Sequence, residues 1–580
     1  MRSMARGDRR QLSLTRVGGA ARPAFGVASL LIGGFVAGAC GSGELRPKAL
    51  ETTSQVQDAG LADAPDSGFG IQADAGPSLD SGVGDGAGVG ADAGECAISH
   101  ESVSEPSLVI ITRRTLADEF GALAELHTAL GDAAEVVTLE SICSMYTCVD
   151  ADPDRDTPRA IKSYLMSRPS VRYVLLGGGL DDVPGRFVHD RYDNPFIAGG
   201  GFEADFQTDY YYSDFSEWDT NGDGVYAEPG VDTPDYRPEL AVTRLPVRTG
   251  AEVRSYVRKV LHHVQAYEAS SVDQAVLISN VAVTLEIGSG LRVDSAWYFE
   301  NAGRTFDLLS PSFEVSKIYA TALPDRSAAR TSPEAERAAL EAGPNIVVHS
   351  GHADYELLTT EADGSLALTA GDARSLVNSN YPIFLSSGCL AGDSTYRGAA
   401  GEAFINAPNG GAIAYLGNVP LGLGLAGGMQ LIDELLRAAV AGRDVPIGDA
   451  YLSAHLHLPV TDDFTVPLLG LDVPVLDASS YAWTQKGVTL YADPLLPVYT
   501  EPLPSAPGLT IEWKANSCGG EVHVGLDRAF SGTLRVLADG RVYVVELRSQ
   551  SEASVTLAVR PASVSAGLRA EGFLSSFTTP

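Results

Sequence analysis

Two short runs of unbroken apolar residues constrain this chain more than any other feature. The first lies in NIVVHSGHADYELL (residues 345–358), which turns from apolar to small residues and ends its run at Ser350, Gly351 and His352. The second lies in YPIFLSSGCLAGD (residues 381–393), which breaks into Ser386, Ser387, Gly388 and Cys389. A strand with no polar alternation is covered on both faces, as in a parallel sheet packed between helices. Such sheets deliver reactive groups at the carboxyl edge of their strands. A thiol attacks only as thiolate and needs an imidazole to lower its pKa or take its proton. Adjacent parallel strands tipped with His352 and Cys389 would supply that pair across one strand spacing. His349 competes for the role of base, but by alternation within its strand it faces a different direction from His352.

The rest of the globular chain supports an α/β class. Apolar strands at residues 107–112, 136–139 and 171–176 alternate with helical patterns at 116–130 and 157–167, which implies a first layer with parallel strands. Gly177-Gly178-Gly179 lacks the spacing of a nucleotide fingerprint and reads as a tight turn. A second layer begins at residues 274–279 and continues through a helix at 293–306, strands at 313–318 and 345–348, a helix at 332–342 and a strand at 411–417. From about residue 505 the period changes to two, in LTIEW, GEVHVGL, GTLRVLA, RVYVVELR and SVTLAVR, and a small immunoglobulin-like β-sandwich is expected.

The amino-terminal hundred residues are of another kind. Arg2, Arg6, Arg9, Arg10 and Arg16 precede an apolar stretch (residues 24–37), and Ala37-Gly38-Ala39 leads into Cys40. This order of charge, apolar run and small residues is that of a secretory signal. Cys40 matches the residue lipidated in bacterial lipoproteins. Residues 41–95 are rich in Ala, Asp, Gly and Ser, too poor in apolar area to offset ordering entropy, and read as a disordered acidic tether. The expected organisation is therefore a lipoprotein signal (1–40), the tether (41–95), an amino-terminal α/β subdomain (96–270), a catalytic α/β subdomain (271–504) and the sandwich (505–580). A net charge of −33 disfavours nucleic acid and anionic lipid as partners. Membrane contact is expected only through the lipid anchor, on a monomer displayed at the outer membrane or cell surface, or secreted.

Within an aromatic, acidic loop, Asp219, Asn221 and Asp223 occupy alternate positions with Gly224 behind them. That spacing turns three side-chain oxygens to one centre, and Glu228 could complete a structural calcium shell. Gly230 stands where an EF-hand would place its bidentate Glu, so the alternative is an Asx-rich turn.

The Ser350-Gly351-His352 and Gly388-Cys389 strand ends, the Gly401-Glu402-Ala403-Phe404 helix start and the glycine-rich strand at 410–417 together resemble the gingipain-type cysteine peptidases, within the wider caspase-like clan. The resemblance spans roughly residues 107–580. It implies a caspase/gingipain-like core of two parallel-sheet α/β layers followed by the sandwich, and cysteine endopeptidase activity on proteins or peptides. It also implies an oxyanion hole from the N–H groups of Ala353 and Cys389, and a carboxylate, Asp294 or Glu286, that binds a basic substrate side chain. Two positions depart from the family: Ala353 replaces a usual Gly, and Ser387 a usual acidic or amide residue. These keep open a catalytically silent adhesin on the same scaffold, and a sortase-like transpeptidase is a further alternative. Cys96, Cys143, Cys148 and Cys518 suit an oxidising compartment and allow three pairings.

Overall fold

The computed structural model describes residues 98–102, 104–149, 156–193, 201–280, 285–287, 291–293, 295–302, 305–320, 328–359, 367–424, 427–458, 465–468, 471–474, 478–517 and 519–579. Cys40, the tether, Asp294, Cys96 and Cys518 lie outside them. Residues 99–580 pack as one unit.

Its centre is an eleven-stranded sheet. In chain order the strands are β1 (Leu108–Thr112), β2 (Ala134–Thr138), β3 (Tyr173–Gly177), β4 (Ala241–Leu245), β5 (Gln274–Ser279), β6 (Glu314–Tyr319), β7 (Ala329–Arg330), β8 (Ile346–Ser350), β9 (Ile383–Ser386), β10 (Ala414–Asn418) and β11 (Val488–Tyr491). Their spatial order is β7-β6-β5-β8-β9-β10-β11-β4-β3-β1-β2. Only the β10–β11 pair is antiparallel. The unbroken apolar runs are explained by burial on both faces: Leu108 and Ile110 of β1 enter one core, while Val109 and Ile111 enter the other.

The two expected layers are thus halves of one sheet, joined where β11 meets β4 at the single pair Tyr491↔Arg244. Arg244 is buried at this seam. Its guanidinium forks onto Asp209 at 2.6 and 2.7 Å and donates to Gly178 O at 2.7 Å, a geometry that compensates a desolvated charge. Gly178 itself turns the chain after β3 with φ +150°, as the glycine triplet suggests.

Two segments differ from their sequence pattern. Residues 293–306 are not one helix: Val293 closes a short hairpin (Leu285–Ile287 with Leu291–Val293), and the helical part divides into Ser295–Trp297, a π-turn at Tyr298–Ala302 and Thr305–Leu309. At the carboxyl end, β12 (Leu509–Asn516), β13 (Gly519–Ala538), β14 (Arg541–Leu557), β15 (Val564–Arg569) and β16 (Ser576–Thr578) form one five-stranded sheet, compatible with an immunoglobulin-like domain. GEVHVGL and GTLRVLA are one 20-residue strand. The apparent turn between them is an irregularity in the β13–β14 register at Gly525–Gly532, which bends the strand without ending it. This sheet packs on the helix α1 (Arg114–Leu130), where the Gly567 backbone lies so close to Ala129 that a Cβ would stand 2.5 Å from its carbonyl oxygen.

Candidate active site

β8 and β9 are hydrogen-bonded parallel neighbours, in register up to His349↔Ser386. His352 and Cys389 each lie three residues beyond that last pair, so the two candidate residues leave neighbouring strands at the same edge of the sheet. The two loops touch. A Cβ built on Gly388 would stand 2.5 Å from the Cβ of Ala353, so the residue before Cys389 packs on the residue after His352.

The Cys389 loop is held on several sides. Ser387 N–H donates to His349 O at 3.1 Å. Gly388 N–H donates to Ser386 Oγ at 3.1 Å. Asn418 Nδ2, at the end of β10, donates to Ser387 O at 3.1 Å and Gly388 O at 2.8 Å. Beyond the cysteine, Leu390 takes φ +59°, a left-handed conformation uncommon for a non-glycine residue and persisting only where surroundings impose it. Here Leu390 N–H is tied to Pro420 O at 3.1 Å and Gly392 N–H to Asn418 O at 3.0 Å.

Cys389 is fully buried. Gly422 N–H points at its sulfur at 3.3 Å, a donor that favours the thiolate over the thiol. The 420–424 loop carrying that donor is braced by Trp483, whose Nε1–H donates to Leu421 O at 2.7 Å. The Cys389 sulfur is disulfide-bonded in this structure, so it can act as a nucleophile only after reduction.

On the histidine side, Thr359 N–H and Oγ1–H both donate to His352 O at 3.0 Å. Ala353 pairs with Leu358 across a two-residue ladder. Because Thr359 N–H bonds His352 O, Ala353 and Leu358 are the non-hydrogen-bonded pair, and the Ala353 N–H is turned away from that ladder. Ala353 has negative φ, so its methyl group costs no backbone strain and leaves the N–H in place. His352 is half-buried. His349 is fully buried, with Nδ1 at 2.9 Å from Ser386 Oγ and Nε2 at 3.1 Å from Asn280 Nδ2. Burial first, and then the neighbouring His352, push its pKa down to about 3. It is a neutral, fully engaged imidazole.

The other sequence candidates lie on separate segments of the chain. Glu286 lies in the Leu285–Ile287 hairpin strand, and Asp294 lies outside the described residues. In the acidic loop, Asp219 Oδ1 accepts from Gly222 N and Asp223 N, and its Oδ2 from Gly224 N at 2.9 Å. Asn221 Nδ2 donates to Asp223 Oδ2 at 2.7 Å, and Glu228 N–H is bound by Asp232 Oδ2 at 2.9 Å. Among the described residues no group of three or more His, Cys, Asp or Glu side chains is gathered closely enough to hold a metal. Cys143 and Cys148 form a disulfide. Sequence reasoning missed Asn418, Gly422, Ser386 and Asn280; of these only Gly422, within Leu-Gly-Leu-Gly at 421–424, carried a local signal.

Comparison with known proteins bears on the whole arrangement. The family model for peptidase family C25 matches residues 101–499. The fold is similar to the complex of Porphyromonas gingivalis RgpB pro- and mature domains, with a TM-score of 0.52 at 16% identity over 81% of this chain and 99% of that one. It is similar also to the Arg-specific cysteine proteinase gingipain R, with a TM-score of 0.53 at 15% identity over 82% of this chain and 97% of that one. No curated protein matches the chain.

Proposed function

The chain belongs to peptidase family C25, a family of cysteine peptidases, and from that membership we propose that it is itself a cysteine endopeptidase acting through Cys389 and His352. The observation that carries the reading is the in-register release of both residues from β8 and β9 with their loops in contact at Gly388 and Ala353.

The chemistry is acyl transfer. The Cys389 thiolate, formed as His352 takes its proton, attacks the scissile carbonyl carbon. The carbonyl π electrons move to oxygen, where the N–H groups of Ala353 and Cys389 receive the negative charge. Collapse of this intermediate breaks the C–N bond, and His352 returns the proton to the leaving amine. Water, deprotonated by His352, then attacks the thioester and releases the acid and the thiol. Gly422 N–H supports the sulfur whenever it carries charge. Glu286 or Asp294 would complement a basic substrate side chain, and calcium at the 219–228 loop would be structural, not chemical. The arginine-rich, apolar leader supports export from the cytoplasm, with a lipidated Cys40 as the proposed anchor.

The test is labelling by iodoacetamide after mild reduction, in wild type, His352→Ala and Cys389→Ala, with casein hydrolysis measured alongside. Cys389 should react far faster than a free thiol, His352→Ala should slow it by about tenfold or more, and both substitutions should abolish hydrolysis. Labelling at the rate of a free thiol, indifferent to His352, would leave the fold serving as a binding platform and sink the enzymatic reading.

A further inference from the structure

A chain of buried polar groups runs behind the reactive pair and touches both of its halves. Asn280, at the end of β5, is its hub. Asn280 Nδ2 donates to His349 Nε2 at 3.1 Å and also to Thr359 O. Thr359 in turn donates twice to His352 O. Since His349 Nε2 accepts, its proton is on Nδ1, which donates to Ser386 Oγ at 2.9 Å. Ser386 Oγ also accepts Gly388 N–H. Behind the hub, Thr331 Oγ1 lies 3.3 Å from Asn280 Oδ1 and 2.5 Å from Glu336 Oε1. Thr331 has one proton for two acceptors, so the pattern closes when Glu336 is protonated and donates to Thr331, which then donates to Asn280. Burial supports this state, holding the Glu336 pKa up at about 8.

Asn280, His349 and Ser386 are each at most 1% exposed. Apolar residues of similar shape would serve the core as well, so the polar atoms need another reason. Their two ends supply one: the N–H of Gly388, the residue before Cys389, and the carbonyl of His352. Asn280 also abuts Gly351, where a Cβ would come within 2.6 Å of its own, so the backbone leading into His352 has no room to shift towards it.

We propose that Asn280, His349 and Ser386 are positioning residues for peptide hydrolysis, a single hydrogen-bonded brace that sets the Cys389 backbone and the His352 loop relative to each other. The proposal rests on the reading of Cys389 and His352 as the catalytic pair. None of the three touches a substrate. Their effect passes through Gly388 on one side and Thr359 on the other.

The test measures the rate of iodoacetamide labelling of Cys389 against pH in the reduced full chain, together with thermal melting. Ser386→Ala removes the acceptor shared by Gly388 and His349. Asn280→Asp keeps the shape of the hub and removes its Nδ2 donors. Both should slow Cys389 by about tenfold near neutral pH and move the inflection of the profile towards that of an ordinary thiol, the loss of one to two buried hydrogen bonds. Ser386→Thr, which restores the same oxygen, should return the rate to within about threefold of wild type. Either disrupting variant, folded and with a wild-type rate and inflection, overturns the brace. A wild-type profile identical to that of His352→Ala and of a free thiol would instead overturn the catalytic pair, so the two failures are distinct.

Discussion

The contact between Gly388 and Ala353 leaves room for one methyl group between the two reactive loops, and this can be measured. Gly388 has negative φ, so alanine there would ordinarily stabilise by about 0.4–1 kcal/mol through the unfolded chain. The added Cβ would instead stand 2.5 Å from the Cβ of Ala353, at least about 1 Å inside the usual carbon–carbon separation. Neither backbone yields readily: Gly388 is fastened at N–H by Ser386 and at its carbonyl by Asn418, and Ala353 sits in a ladder with Leu358. Overpacking of this kind costs about 1–3 kcal/mol, so Gly388→Ala should destabilise by about 1–2 kcal/mol net. Ala353→Gly alone loses a buried methyl and adds chain entropy, about 1–2 kcal/mol in all. In the double variant the clash is gone. It should be as stable as Ala353→Gly or slightly better, a favourable coupling of about 1–3 kcal/mol. Urea unfolding of the four proteins gives the cycle, and Cys389 labelling after reduction reports the loop locally. A Gly388→Ala effect that is neutral, or identical in both backgrounds, would refute the packing argument.

Two further outcomes follow from buried and looped carboxylates. The folded-state pKa of Glu336, about 8, lies above its unfolded value, so the unfolded chain loses this proton first. Stability is held below about pH 4.5 and falls by at most about 1.4 kcal/mol per pH unit up to about pH 8. Glu336→Gln, which keeps a donor for Thr331, should therefore gain on wild type as pH rises through that window in parallel urea titrations; a constant difference would contradict the protonated carboxyl. Added calcium should raise the melting temperature of wild type but not of Asp219→Ala; equal responses would leave the 219–228 loop supported by its own hydrogen bonds alone.

The parts of the fold legible in the sequence are those where burial leaves a local mark. β8 and β9 are sealed on both faces, so their runs are apolar without interruption, and the reactive residues stand out where the runs end. The long strand β13 was hidden because Asp527, Arg528, Ser531 and Gly532 mimic a turn, while the register irregularity that replaces it depends on the partner strand. The helix over 293–306 failed for a related reason: residue periodicity carries no information about a hairpin closing at Val293.

The brace behind the site was invisible on different grounds. Asn280 to His349, His349 to Ser386 and Asn280 to Thr359 are separated by 69, 37 and 79 residues, and each is a single polar residue at the end of a strand, where a turn residue would look the same. The same distance problem governs Ala353. Read alone, an alanine where the family resemblance implies a glycine counts against an oxyanion hole. In the structure its φ is negative and its N–H is turned from the short ladder, and the volume its methyl occupies is the volume Gly388 leaves free. The requirement is on the pair of positions: one Cβ between the loops. A residue that departs from a family pattern at a contact is therefore informative only together with the residue it touches, and here that residue adjoins Cys389.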